Sequence, residues 1–170
     1  MDVVKAPFGP AEERELDQIF SLYVRRVAWM EEAGIRQWNR NGYLEAYPIG
    51  YYRDMLREGR LYALRDKDAV LAAAAVLESD RRWEDAAPAL YVHNLVSALP
   101  SGGAGGELLT HIEALAVQLG KAFVRLDCAA DNASLNRYYE SRGYRPAGTC
   151  QDGPYRGVRR QKVLKELNPQ

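Results

Sequence analysis

The sequence feature that most constrains the fold is a strand, a glycine-rich turn, a helix and a second strand in direct succession. The apolar runs Ala89–Val96 and Phe123–Cys128 have the length and composition of buried strands. Between them lies a stretch with leucine and isoleucine at helical spacing, which ends at Gly120. The segment from Leu90 to Leu126 has the length of a βαβ unit with a crossover helix. It therefore predicts two parallel strands joined by one helix.

Strand and helix signals continue on both sides of this unit. The predicted strands are Val3–Phe8, Arg60–Leu64, Val70–Leu77, Tyr144–Cys150 and Tyr155–Leu164, and the predicted helices run from Pro10 to Gly34, from Tyr51 to Arg57 and from Asn132 to Arg142. The helix before Gly120 carries Leu108, Ile112, Leu115 and Leu119 on one face. We therefore expect an α/β (α+β) fold in one domain, residues 1–170, with a mixed sheet of about six to seven strands flanked by helices.

The charge balance and the rare residue types exclude several classes of function. Lys plus Arg and Asp plus Glu number 23 each, so no general electrostatic attraction to nucleic acid is expected. No apolar run approaches the roughly 20 residues of a membrane span. Two cysteines without CxxC spacing and two histidines predict no metal site and a reduced cysteine pair. The N-terminus lacks the features of a signal peptide, so we expect a cytoplasmic protein. The sequence leaves open whether the protein forms a homodimer.

The glycine-rich turn, Ser101–Gly106, has the composition of an anion-binding loop. Glycines let backbone N–H groups point at one ligand, and the start of the next helix adds unpaired donors. Such a junction can cradle a pyrophosphate, although it can equally be only a turn. No Lys-Ser or Lys-Thr pair follows, and the glycine spacing of the dinucleotide fingerprint is absent.

A second segment of interest follows the strand that ends at Cys128. Asn132 can cap the next helix or form a hydrogen bond with an amide-bearing ligand at the strand end. The helix carries two adjacent tyrosines, Tyr138 and Tyr139, which lie about 100° apart around its axis. Their spacing from Leu135 does not decide which of them packs inward.

Both segments together resemble the GNAT superfamily of acetyltransferases. In that family a strand ends in Leu-Asp, an Asn follows, and a helix carries Tyr-Glu before a Gly-aromatic pair. Here these are Leu126-Asp127, Asn132, Tyr139-Glu140 and Gly143-Tyr144. The strand Tyr91–Val96 resembles the fourth strand of the family, and Gly34–Trp38 resembles a segment of many bacterial members. The order of elements matches over nearly all 170 residues.

The resemblance implies acetyl-CoA as cosubstrate and assigns roles to particular residues. The pantetheine arm is expected to bind to backbone groups of Leu95, Val96 and Ser97 like an added strand. The pyrophosphate is expected at Gly102, Gly103, Ala104, Gly105 and Gly106, with Asn132 on the pantetheine and Tyr139 as the general acid for the CoA thiolate. The loop departs from the family pattern Arg-Gly-x-Gly-x-Gly, because Pro100-Ser101-Gly102 stands at its start.

The base and the acceptor are less constrained by the sequence. The base is His93, Glu78 or an ordered water chain, and His93 suits the task because imidazole titrates near neutral pH. Aromatic residues crowd the segment from Trp29 to Tyr52, and we expect Trp38 and Tyr43 to contact the acceptor unless they belong to the core. A small-molecule amine or an amino acid is the expected acceptor, and a protein N-terminus or lysine is the alternative. A non-catalytic CoA-binding or interaction module and a nucleotide-binding regulatory domain are the rival functions.

Overall fold

The structure, a computed structural model, describes residues 7–35, 38–39, 42–100 and 102–164. The helices are α1 (Leu16–Glu32), α2 (Tyr43–Ala46), α3 (Ile49–Arg57), α4 (Ala104–Gln118) and α5 (Ala133–Ser141), and a short 3-10 helix covers Glu13–Glu15. The strands are β1 (Phe8–Pro10), β2 (Leu61–Asp66), β3 (Ala69–Leu77), β4 (Ala89–Ser97), β5 (Phe123–Ala129), β6 (Arg145–Asp152) and β7 (Tyr155–Val163).

The strands form one mixed sheet of seven, in the order β1-β2-β3-β4-β5-β7-β6. Strands β4 and β5 are parallel and are connected through α4, which confirms the predicted βαβ unit. Strand pairs β1–β2, β2–β3, β5–β7 and β6–β7 are antiparallel. The prediction of an α/β fold with about six to seven strands and flanking helices is therefore confirmed.

The chain divides into two compact units. One comprises residues 1–76 and 94–111, and the other comprises residues 77–93 and 112–170. The first contains an aromatic core in which α1 and α3 bury Tyr23 and Tyr52 completely. The second contains a smaller cluster around Trp83, Ala89 and Tyr91. Strand β4 and helix α4 pass from one unit into the other, so the single domain over residues 1–170 stays a prediction.

The N-terminal elements differ from the predicted ones. Residues 3–6 of the predicted strand lie outside the described residues, and the strand that is described ends at Pro10. Pro10 therefore does not open the helix, which starts at Leu16 after a 3-10 turn whose capping box joins Glu12 and Glu15. A proline is accepted at the end of this strand because β1 lies at the edge of the sheet.

The buried face of α4 also differs from the predicted one. Leu108, Leu109 and Ile112 are fully buried, as is Ala116, whereas Leu119 lies beyond the last helical residue and is exposed. The predicted spacing extended the apolar stripe one turn too far, because Gly120, with φ +72°, turns the chain away after the helix.

A buried ion pair ties β2 to the segment that precedes α1. The Arg65 guanidinium donates to Glu15 Oε2 at 2.9 Å through Nε and to Glu15 Oε1 at 3.0 Å through Nη2. The two side chains are only 3% and 8% exposed. A charge at such a site is stable only while its partner is present, because an unpaired buried charge costs several kcal/mol.

Replacement of Arg65 should therefore destabilise the protein strongly. We expect Arg65→Met to lower the free energy of unfolding by about 3–5 kcal/mol, because it leaves the Glu15 carboxylate buried without its partner. The matched control is Arg14→Met, which removes an exposed pair with Glu12 and should cost less than about 1 kcal/mol. Denaturant unfolding measures both, and equal losses would contradict the argument.

Candidate functional site

The backbone of strand β4 is irregular at Asn94. This residue has φ +57°, a left-handed conformation that Asn tolerates better than most residues do. Three tyrosines hold it in place. Tyr23 Oη donates to the Asn94 carbonyl oxygen at 2.6 Å, Tyr51 Oη donates to Oδ1 at 2.9 Å, and Asn94 Nδ2 donates to Tyr43 Oη at 2.5 Å.

The pairing of β4 with β5 is short. Among the described residues it consists of Ala89 with Phe123, Leu90 with Val124 and Tyr91 with Arg125. Strand β4 then continues to Ser97, and within the part of the chain that the structure describes its backbone from Val92 onward has no strand partner on the β5 side. Such an open edge can accept an extended ligand as an added strand.

The predicted pantetheine-binding residues lie on this open stretch of β4. Leu95 and Ser97 are half-buried, and Val96 is buried in the aromatic core. Arg26 Nη2 donates to the Ser97 carbonyl oxygen at 2.8 Å and to Ser97 Oγ at 3.0 Å, which fixes the end of the strand. The structure thus places the three predicted residues on one continuous backbone edge.

The glycine-rich segment is shorter as a loop than predicted. Ser101 lies outside the described residues, and only Gly102 and Gly103 precede the helix, because α4 already starts at Ala104. Ala104, Gly105 and Gly106 form its first turn, and the Glu107 backbone N–H donates to the Gly103 carbonyl oxygen at 3.0 Å. Gly103 has φ +86°, so a side chain there would be strained.

Asn132 caps helix α5, one of the two roles that the sequence allowed. Its Oδ1 accepts from the Leu135 backbone N–H at 3.0 Å. The neighbouring Asn136 fixes the turn between β5 and α5, because its Nδ2 donates to the carbonyl oxygens of Ala129 and Asn132 at 2.9 Å each. Asn132 as a whole residue is half-buried.

Tyr139 is the inward tyrosine of α5. It is 7% exposed, whereas Tyr138 is 39% exposed. Its ring packs edge-on against Tyr144, with 5.8 Å between the ring centroids. Burial, followed by the proximity of the Cys128 thiol, raises the pKa of the Tyr139 phenol well above its ordinary value. The phenol therefore keeps its proton at neutral pH.

His93 lies in a polar cluster with two carboxylates. Its Nε2 is 2.8 Å from Asp80 Oδ2. Asp127 lies close by, since ligand atoms of Asp80, His93 and Asp127 all lie within 4.8 Å of one another. Asp127 accepts from Tyr155 Oη at 2.6 Å and from Arg82 Nη1 at 3.3 Å.

The spacing of Asp80, His93 and Asp127 is short enough for a bound cation. The Arg82 guanidinium, however, already supplies a positive charge beside Asp127. The hydrogen bond between His93 Nε2 and Asp80 Oδ2 in addition engages one carboxylate oxygen. We therefore interpret the cluster as an acid–base group, and the absence of a metal from the function stays a prediction.

The other residues predicted for the base and the acceptor have distinct environments. Glu78 is 71% exposed and pairs with Lys121 at 3.1 Å. Trp38 and Tyr43 stack face to face at 4.2 Å and belong to the aromatic core, where Tyr43 is buried and Trp38 is half-buried. Arg36 and Gln37 of the segment before Trp38 lie outside the described residues.

The relationship to known proteins decides the family. The chain is 31% identical over 154 residues to an uncharacterized N-acetyltransferase of Bacillus subtilis, YesJ, and the match covers 85% of this chain and 84% of that protein. The chain belongs to the GNAT superfamily. No protein-family model matches it.

Solved GNAT structures share the fold. A GNAT-family acetyltransferase of Listeria monocytogenes superposes with a TM-score of 0.76 at 22% identity, over 92% of this chain and 94% of that chain. One from Streptococcus agalactiae also has a TM-score of 0.76, at 18% identity, over 94% and 95% of the two chains. The PaiA N-acetyltransferase of Thermoplasma acidophilum, solved in complex with coenzyme A, has a TM-score of 0.70 at 13% identity, over 92% and 97%.

Membership of the GNAT superfamily makes the protein an acyltransferase of the N-acetyltransferase type. Among the helices that the structure describes, none has the length and apolar character that a bilayer span requires. Sequence reasoning missed Asp80, the partner of His93, because it lies in a charged connection with no periodic pattern. It also missed the role of Asn94, since no local signal marks a left-handed residue inside a strand.

In this GNAT protein the conformation of β4 should depend on both the backbone and the side chain of Asn94. Asn94→Ala removes two side-chain hydrogen bonds and places alanine at positive φ, so we expect a loss of at least about 2 kcal/mol in the free energy of unfolding. Asn94→Gly loses the same hydrogen bonds but accepts the backbone conformation, so it should be less destabilised by about 1 kcal/mol. Equal losses, measured by denaturant unfolding, would show that the backbone is not constrained.

Proposed function

We propose that this protein transfers an acetyl group from acetyl-CoA to a primary amine of a small molecule or an amino acid, by direct attack of the amine. The observation that carries the proposal is the open edge of β4 from Val92 to Ser97, followed directly by the glycine-rich start of α4. A strand edge suits the amide groups of a pantetheine arm, and a helix start suits a pyrophosphate. The coenzyme A complex of the related PaiA protein supports the same cosubstrate.

The residues present fit such a cosubstrate. Leu95, Val96 and Ser97 would hold the pantetheine through their backbone groups. A phosphate can approach the start of α4 with little steric obstruction, since at Gly102 and Gly103, which precede the helix, no atom lies within 4 Å of where a Cβ would be. The side chain of Asn132 would contact the pantetheine. Acetyl-CoA supplies an activated acyl group as a thioester, so the protein needs only to position it and to move protons.

Two side chains have environments suited to the proton transfers. Tyr139, protonated at neutral pH, would donate its phenolic proton to the departing sulfur. His93 would accept the proton that the attacking amine loses. A backbone N–H of β4 would polarise the acetyl carbonyl. We propose that Trp38, which is half-buried, contributes to the acceptor side, and that Tyr43, buried in the core, supports it through the stacked ring contact.

Binding of acetyl-CoA is the first test. At 100 times its dissociation constant, the ligand should add about 2.7 kcal/mol to the free energy of unfolding and raise the melting temperature. CoA should stabilise similarly, whereas ATP and NAD should not. Gly105→Val should abolish the shift, because it adds bulk in the first turn of α4 at a backbone conformation that valine can adopt.

The matched control for this variant is Gly50→Val. Gly50 is a helical glycine of α3 whose added Cβ would meet no atom within 4 Å. It should retain the full shift with acetyl-CoA. A Gly105→Val protein that binds acetyl-CoA like the unaltered protein would refute the assignment of the loop, and stabilisation by ATP would favour a nucleotide-binding domain instead.

Replacement of Tyr139 tests the general acid. Tyr139→Phe keeps the buried ring and removes the proton donor, so we expect kcat to fall by about 10²–10⁴-fold with little change in the affinity for acetyl-CoA. Tyr138→Phe is the control, because Tyr138 is exposed on the same helix, and it should be close to the unaltered protein. Full kcat in Tyr139→Phe, under conditions where chemistry limits the rate, would assign the proton to another donor.

A further inference from the structure

The imidazole of His93 is held at one nitrogen by a carboxylate that is itself fixed. Asp80 Oδ2 lies 2.8 Å from His93 Nε2. The other oxygen, Oδ1, accepts from the Arg82 backbone N–H at 2.9 Å. The side chain of Asp80 is 7% exposed and that of His93 is 19% exposed. The pair is therefore largely shielded from water, and both carboxylate oxygens have partners.

The protonation of Asp80 determines which nitrogen of His93 carries a hydrogen. Partial burial raises the pKa of the Asp80 carboxyl, but the hydrogen bonds from His93 and from the Arg82 backbone outweigh it, and the net pKa lies below its ordinary value. An ionised carboxylate can only accept, so His93 Nε2 must donate. In the neutral imidazole the lone pair then lies on Nδ1.

The cluster formed by the His93–Asp80 pair and the charged groups around it has a net negative charge. Asp127, on β5, faces the pair, and its partners are Tyr155 from β7 and Arg82 from the connection between β3 and β4. Arg82 also pairs with the exposed Asp152 at 3.0 Å. The Arg82 guanidinium balances the charge of only one of the two carboxylates, Asp80 and Asp127. The remaining negative charge favours an acceptor with an ammonium group over an anionic acceptor.

The connection that carries Asp80 is anchored at several points. Trp83 is 7% exposed, and the Arg125 guanidinium lies 4.2 Å from the centroid of its ring. Asp85 binds the same guanidinium at 2.6 Å. Arg159 Nη1 donates to the Arg82 carbonyl oxygen at 2.8 Å. Asp80 is therefore held by a packed segment, which an orienting residue requires.

We propose that Asp80 is a positioning residue that holds His93 in the tautomer whose Nδ1 accepts the proton of the acceptor amine. The inference rests on the proposed function. In the transfer, the amine lone pair forms the new N–C bond, and the proton lost from that nitrogen goes to Nδ1. The electrons of the broken C–S bond leave with sulfur, which takes its proton from the general acid. Glu78, exposed and paired with Lys121, has no comparable setting.

The test reads the tautomer directly. The chain has two histidines, so ¹⁵N–¹H correlation spectra of the imidazoles contain two sets of signals, and His93→Gln identifies one of them. In the unaltered protein, neutral His93 should carry its proton on Nε2. In Asp80→Asn the new amide can donate to Nε2, so the proton should move to Nδ1, and kcat should fall by about 10²–10⁴-fold while the acceptor KM changes by less than about threefold.

Two further variants separate positioning from structure. Asp80→Glu keeps a carboxylate, so it should show the Nε2-protonated tautomer and retain part of kcat. This variant keeps the test informative even if Asp80→Asn folds poorly. Asp85→Asn removes another carboxylate of the same connection, one that binds Arg125 and not His93, and it should leave the tautomer unchanged.

The outcomes distinguish this inference from the proposed function. A proton on Nδ1 of the unaltered protein, or an Asp80→Asn variant with full kcat, would overturn the inference while acetyl transfer stands. An unaltered protein that carries the proton on Nε2 but acetylates no member of a panel of small amines and amino acids would overturn the proposed function, and with it the proton transfer to Nδ1.

Discussion

The left-handed backbone of Asn94 is the constraint on which the rest of the candidate site depends. A residue with positive φ disturbs a regular ladder, and among the described residues β4 has no strand partner on the β5 side from Val92 to Ser97. The conformation is held by hydroxyl groups of Tyr23, Tyr43 and Tyr51. The aromatic core therefore does more than bury apolar area, because the hydroxyl groups of these tyrosines fix strand β4, whose open edge can bind a ligand.

Buried arginines organise the second unit in a comparable way. Arg125 lies among Trp83, Tyr91 and Phe123 and binds Asp85. Arg160 is 7% exposed and donates to Asn136 Oδ1, the same oxygen that accepts from the Cys128 thiol. Each guanidinium has planar donors that satisfy several acceptors at once, which an ammonium group cannot do in a fixed geometry. The connection that carries Asp80 and the turn that carries Asn132 are both stabilised in this manner.

The sequence predicted the regular elements well where local chemistry determines them. The apolar runs placed β2 to β7 to within about two residues, and Gly34 was correctly expected near the end of the first helix. Prediction from the sequence failed where tertiary contacts determine the local structure. Pro10 joined an edge strand, the four-residue helix α2 was missed, and half of the glycine-rich loop belongs to α4. The pairing of Asp80 with His93 could not be predicted, since it joins residues 13 positions apart across an irregular connection.

The two proposed proton carriers lie in different environments. Tyr139 is surrounded by Tyr144, Tyr138 and the thiol of Cys128, and burial favours its neutral, protonated form. His93 is half-buried beside two carboxylates, and its Nε2 lies 2.8 Å from Asp80 Oδ2. A neutral phenol has a proton to donate, and a neutral imidazole whose Nε2 donates to Asp80 has a lone pair on Nδ1 that can accept one. The proposed assignment of acid and base therefore rests on the surroundings of each group, because either residue type alone could serve in both roles.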